Sequence, residues 1–167
     1  MKKLSIVFIT VAMLLISGCS KDNKSGEANE KDINGFSFGP NQSVQEISDT
    51  EKRELSRHLK AAGKPVNGLS YYGYSLIWAD DGSLVIKGFI RNNTGKTVSD
   101  ISGTFEVSSE EILIAKAVFS LNKDQFGKLD NKDNRPWSLI FPSEMIREKI
   151  YNIEKYTVTV IAEYTAE

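Results

Sequence analysis

From residue 71 onward the apolar positions recur every second residue, the spacing of strands that bury one face. Tyr72, Tyr74, Leu76 and Trp78 alternate with Gly73, Ser75 and Ile77. Asp81-Gly82 follows, a hairpin signal because both residue types tolerate positive φ, and the return strand runs from Leu84 to Asn92. After a turn at Asn92-Asn93-Thr94-Gly95, Ile101, Gly103, Phe105 and Val107 alternate with Ser102, Thr104, Glu106 and Ser108. Leu113, Ala115, Ala117, Phe119 and Leu121 share one face of a fourth strand over 112–121. A polar loop is expected over 122–134. Trp137, Leu139 and Phe141 line one face of a fifth strand. Ser143 is expected to cap a short helix reaching about Ile150, and Val158, Val160 and Ala162 mark a last strand from Tyr156 to Tyr164.

Upstream of these strands the period lengthens. Ser48 and Glu51 have the spacing of a capping box, Leu55 and Leu59 recur at i and i+4, and Gly63 and Pro65 end the pattern. This short amphipathic helix either packs one face on the domain or acts as a spacer. Strand–helix–strand repeats are absent from the pattern, so a parallel α/β sheet is not expected. The fold class expected is mainly β: an Ig-like antiparallel β-sandwich of about six to seven strands, with short flanking helices and an N-terminal signal helix.

The N-terminal residues differ in kind. Met1-Lys2-Lys3 precedes an uncharged apolar run from Leu4 to Ile16. That is shorter than the ~20 residues a membrane-spanning helix needs and has the form of a secretory signal peptide. The run ends Leu15-Ile16-Ser17-Gly18-Cys19, which resembles the lipobox of bacterial lipoproteins. The resemblance implies a diacylglyceryl group on the Cys19 thiol and cleavage before Cys19. Two acyl chains give stable attachment where one gives only marginal binding. The segment after Cys19 is polar and mixed in charge, too poor in apolar side chains to offset its ordering entropy. The expected division is therefore a signal peptide over 1–18, a flexible polar tether over 19–45, a helix and linker over 46–66, and the strand domain over 67–167. The tether is expected to include Gly35, Gly39 and Pro40.

Charge and residue usage narrow the function classes. The formal charge is −1, and loss of Lys2 and Lys3 with the signal peptide takes it to −3. A weakly acidic domain is a poor nucleic-acid binder. Cys19 is the only cysteine and His58 the only histidine, so no cofactor or transition-metal site of the usual ligand kind is expected. His58 sits on the expected helix and reads as a solvent-facing residue. Asp130-Asn131-Lys132-Asp133-Asn134 carries lysine and not an oxygen ligand at its third position, against the calcium-loop pattern. Glu110, Glu111, Glu144 and Glu148 read as solvated charges. The chain is expected not to be an enzyme. Strict alternation sends Tyr72, Tyr74 and Trp78 inward and leaves Tyr71 and Ile77 as candidate surface contacts; Arg135 reads first as structural, stacking on an aromatic or pairing with an acid, and second as a third surface contact.

Two blocks carry a family resemblance. One is Gly82-Ser83-Leu84-Val85-Ile86-Lys87-Gly88-Phe89-Ile90-Arg91-Asn92-Asn93-Thr94, continuing to Ile101; the other is Asp133-Asn134-Arg135-Pro136-Trp137-Ser138-Leu139-Ile140-Phe141-Pro142. Together they resemble the SLAP domain, named for accessory Sec system S-layer assembly proteins of Gram-positive bacteria. The first block is also similar to Ig-like envelope domains of the FxLYD kind. The resemblance implies a non-enzymatic extracellular module tied to export or assembly of surface proteins, on the outer face of the cytoplasmic membrane. Expected partners are the membrane, through the diacylglyceryl-cysteine, and envelope or secreted proteins. A small ligand-binding or sensory lipoprotein using the aromatic patch is the alternative.

Overall fold

The computed structural model describes residues 35–40 and 47–167. The signal run, the lipobox at Leu15, Ile16, Ser17 and Gly18, Cys19, and the tether through residue 34 lie outside the described residues. Among the described residues six antiparallel strands form two three-stranded sheets. β1 (Gly68–Trp78), β2 (Leu84–Asn93) and β5 (Asn134–Phe141) pair in the order β1-β2-β5. β4 (Ile112–Leu121), β3 (Val98–Ser109) and β6 (Thr157–Ala166) pair in the order β4-β3-β6. The sheets pack as a β-sandwich around Leu84, Ile86, Ile90, Ile101, Phe105, Val107, Leu139 and Phe141, all 3% exposed or less. The alternation over 101–107 and 137–141 assigns these inward faces correctly.

β1 departs from simple alternation. Its register against β2 slips between Gly73 and Ser75, leaving Tyr74 as the extra residue of a β-bulge. A bulge reverses which residues face which side. Before it, Leu69 and Tyr71 face the other sheet; after it, Leu76 and Trp78 do. Tyr72 and Tyr74 instead face the outside of the sheet, with Phe89. The expectation that Tyr71 points outward is therefore corrected: its side chain is 7% exposed and its ring meets Phe105 edge-on at 6.4 Å. The ring crosses Gly88 of β2, where a Cβ would lie 2.6 Å from the Tyr71 hydroxyl. That hydroxyl has one proton and lies 2.8 Å from two carbonyl oxygens, Ile86 and Trp137. It thereby bridges β1 to both β2 and β5. Burial pushes its titration far above the ordinary phenol value.

The outer face of β1-β2-β5 is covered. α1 (Asp49–Ala61) starts at Ser48, whose side chain accepts from the Glu51 backbone N–H while Glu51 accepts from the Ser48 backbone N–H. Leu55, Leu59 and Ala62 lie on Phe89, Tyr72 and Tyr74, so the helix packs on the sheet. Phe36 completes this second core at 2% exposure, with Phe38 beside it. Residues 35–40 are thus a packed strap, and here the structure differs from the tether expected through residue 45. Phe36 pairs in parallel with Asn134, Ser37 N–H donates to the Asn134 carbonyl, and Phe36 meets Phe89 edge-on at 5.2 Å. Two phenylalanines among polar neighbours are enough to anchor a short segment, because each buries a large apolar area.

Two further expectations change. The polar loop over 122–134 contains a one-turn helix, α2 (Lys123–Phe126), capped by the Asn122 side chain. It delivers Phe126 and Leu129, both 0% exposed, into the main core. Ser143 opens only a 3-10 turn to Met145, without a side-chain cap. The chain to Tyr156 is then largely irregular and lays Ile146, Ile150 and Ile153 against the core.

Replacing Tyr71 by Phe removes the hydroxyl from two buried carbonyls while keeping the ring. Leaving buried acceptors unpaired should lower stability by about 1–3 kcal/mol. Urea unfolding of the variant measures this, and an unchanged midpoint would show that the hydroxyl does not join the three strands.

Candidate functional site

The arginines of the two sequence blocks are structural. Arg135, 3% exposed, lies under the strap. It donates to the carbonyls of Phe126 and Lys128 and to the Ser37 hydroxyl, and its guanidinium stacks 4.9 Å from the Phe126 ring. The candidate surface role for Arg135 is corrected accordingly: β5 turns it inward, on the same face as Trp137, Leu139 and Phe141. Burial pushes its pKa down to about 10, opposed by Asp133 and Asp130, so it stays charged at neutral pH. Trp137 packs edge-on against Phe126 at 5.3 Å. On β2, Arg91 donates to the Ala62 and Gly63 carbonyls at the end of α1 and to Asn134 Oδ1. A cation at a helix C-terminus meets the negative end of the helix dipole. Asn92 accepts from the Thr94 N–H and donates to the Lys96 and Leu129 carbonyls, closing the turn after β2.

The titratable residues singled out in the sequence do not converge. His58 stacks on Tyr74 at 4.2 Å and 13°. Its imidazole is held below the usual histidine range, first by desolvation and then by Arg57. Asp130 accepts from the Thr97 hydroxyl and Asn131 from the Gly95 N–H, tying two loops together. Asp81 accepts from the backbone and side chain of Ser83 within its turn. Glu110, Glu111, Glu144 and Glu148 are exposed. Among the described residues no group of three His, Cys, Asp or Glu side chains could hold a metal ion.

Exposed aliphatic rows remain on the outer faces of the sheets. Ile77, Val85 and Ile140 stand side by side across β1, β2 and β5, with Ile77 46% and Ile140 55% exposed. The row lies beyond the strip Tyr72–Phe89–Pro136 and the next strip, Ser75–Lys87–Ser138. Ile77 is thus on the surface, where alternation after the bulge puts it. On the opposite face of β1, Trp78 donates its indole N–H to the Ile150 carbonyl, and the exposed Tyr151 ring lies 6.2 Å from the Trp78 ring. Lys149 Nζ stands 5.2 Å from both ring centroids. On the other sheet, Val118, Thr104 and Ile161 form a second row across β4, β3 and β6. The sequence shows the residue types of both rows; neighbourhood across strands needs the pairing register.

Family comparison adds one finding: the SLAP domain model matches residues 37–162. It begins inside the strap, takes in α1 and the first five strands, and ends inside β6. No curated protein and no solved structure matches the chain.

Arg135→Met should cost about 3 kcal/mol or more, since it strips several buried acceptors of a charged donor. Denaturant unfolding within ~0.5 kcal/mol of the parent would refute the hub role of Arg135. The His58 shift gives a pH dependence. The unfolded chain holds the proton with a pKa near 6.5 and the folded chain with a lower one. Stability is therefore full above 6.5 and declines as pH falls through that value toward the depressed folded pKa. His58→Phe keeps the stack on Tyr74 without a titrating group. Its loss of midpoint between about pH 7.5 and about pH 5 should be smaller than the parent's; equal losses would contradict the shift.

Proposed function

The chain belongs to the SLAP domain family, and from that premise we propose that it is a non-enzymatic module of the cell envelope. It docks envelope or secreted proteins during their export or surface assembly while tethered to the outer face of the membrane by a lipid on Cys19. The observation that carries the docking role is the exposed aliphatic row Ile77–Val85–Ile140. Contiguous exposed apolar side chains on one face mark protein-interaction surfaces. The occupant this suits is a protein surface or extended segment with aliphatic side chains.

Placement supports the same reading. The strap reaches β5 at Asn134, while the row lies at Ile140, six residues further along the strand. At ~3.3 Å per residue the two are ~20 Å apart. A domain tethered through the strap therefore holds the row at its far end. Support for the tether itself is the order Met1-Lys2-Lys3, apolar run and Leu15-Ile16-Ser17-Gly18-Cys19. Among the described residues no helix is long and apolar enough to cross a membrane. A small-ligand pocket lined by Tyr71, Tyr72 and Tyr74 draws no support, because Tyr71 is buried between the sheets and the other two rings pack on Phe89.

Photo-crosslinking from position 140 on intact cells tests the docking role. The expected result is capture of an envelope or secreted protein, lost when Ile77→Lys is added and kept when Val118→Lys is added. No specific capture, or equal loss from both, removes the row as the docking surface. In the same cells Cys19→Ala should move the protein out of the membrane fraction or leave it uncleaved; mature, membrane-bound Cys19→Ala protein would end the lipid-anchor reading.

A further inference from the structure

The row at Ile140 is not the only surface with a chemical signature. At the other end of β5, a cleft of about 560 Å³ is lined by Lys64, Pro65, Arg91, Asn92, Asn93, Lys132 and Asn134. That volume is in the range of small-molecule sites. Its lining contains three cationic side chains and no carboxylate, in a chain whose net charge is negative. Lys64 and Lys132 are exposed and reach the cleft from two different segments, the one after α1 and the loop before β5. Lys132 is held with φ at 71°, a left-handed conformation that is costly for lysine. Its backbone N–H donates to the Asn92 carbonyl, which fixes that loop against the turn after β2.

Arg91 forms the floor. Its three donor atoms meet Ala62 O, Gly63 O and Asn134 Oδ1. A guanidinium carries five N–H donors, so two remain after those three contacts. Among the described residues all its hydrogen-bond partners are neutral oxygens and no ion pair cancels its positive charge. Asn93 lines the rim, its amide N–H groups donating to the Val66 carbonyl and to Asn67 Oδ1. Converging cations and spare guanidinium N–H donors are the donor set that recognises a phosphate group.

We propose that this cleft is a binding site for a phosphate-bearing anion, gripped by Lys64 and Lys132 over the Arg91 floor. Position suggests what can reach it. Gly35, the first described residue of the strap, accepts a hydrogen bond from Asn134 of the cleft wall. The cleft therefore sits where the chain enters the domain, at the end opposite the aliphatic row. A phosphate there comes either from an anionic lipid headgroup or from a soluble phosphate ester, and both offer the same group to the same cations.

The test is a titration of purified protein with inorganic phosphate, followed by amide resonances. Saturable shifts at Asn92, Asn93 and Lys132 are expected. Lys64→Ala combined with Lys132→Asn should weaken binding about tenfold, as removal of two nearby charges implies. Asn suits the left-handed backbone at 132, and both lysines are exposed, so the fold should be retained. Two further arms separate the sources. Sedimentation with phosphatidylglycerol vesicles but not phosphatidylcholine vesicles, lost in the double variant, assigns a lipid headgroup. Binding of glycerol phosphate without vesicle binding assigns a soluble ester. No saturable shift at the cleft, or equal binding by the double variant, overturns the proposal. None of these arms uses the lipid on Cys19, so failure here leaves the anchor untouched, and failure of the anchor leaves this site standing.

Discussion

Two buried guanidinium groups that meet carbonyl oxygens in place of carboxylates hold the outer parts of this fold to its sheet. Taking a charge out of water is expensive unless hydrogen bonds replace the lost hydration. Arg91 and Arg135 are 7% and 3% exposed, and among the described residues neither has an acid as a hydrogen-bond partner. The oxygens they need come from segments that would otherwise have little reason to approach: the end of α1, the strap and the α2 loop. Each segment supplies backbone carbonyls left over where regular hydrogen bonding stops. The arginines cannot stay buried without these segments, and the segments lose their attachment without the arginines.

This coupling explains why the two recognisable blocks of sequence look like a functional signature and yet line no active site. Asn92 and Asn134 belong to the same scheme. Asn92 joins the turn after β2 to Leu129, and Asn134 joins Arg91 to Gly35. Asn134 presents its amide N–H to one segment and its amide oxygen to another. The exposed aliphatic row lies elsewhere, in side chains whose identity the fold does not dictate.

Most of the strand framework was legible because period-two alternation follows directly from burying one face. β3 and β5 read correctly along their whole alternating runs. β1 did not, because Tyr74 is an extra residue and every assignment before it shifts by one; Tyr71 was misplaced for that reason, and Ile77, after the bulge, was not. Gly73 and Gly88 carried a usable signal, since glycine within a strand often marks a bulge or a close approach. The strap and the α2 loop failed differently. Phe36, Phe126 and Leu129 are single apolar residues in polar surroundings, and a periodicity argument gives no weight to isolated positions. The stacking of Arg135 on an aromatic ring was legible beside Pro136-Trp137, whereas the carbonyls that bury it come from segments distant in sequence. The aliphatic rows, finally, exist only between strands and have no image in a linear pattern.

The direction of the strap has a mechanical consequence. Phe36 pairs with Asn134 in parallel, so residues 35–40 run the same way as β5. A pull arriving through Gly35 acts along the strands and not across them. The bonds from Ser37 N–H to Asn134, from Asn134 to Gly35 and from Arg135 to Ser37 are then loaded together. A hairpin pulled from its open end gives up its bonds one at a time; this arrangement shears. Tension on the chain is passed through β5 into β2, the central strand of its sheet, before it can peel the strap away.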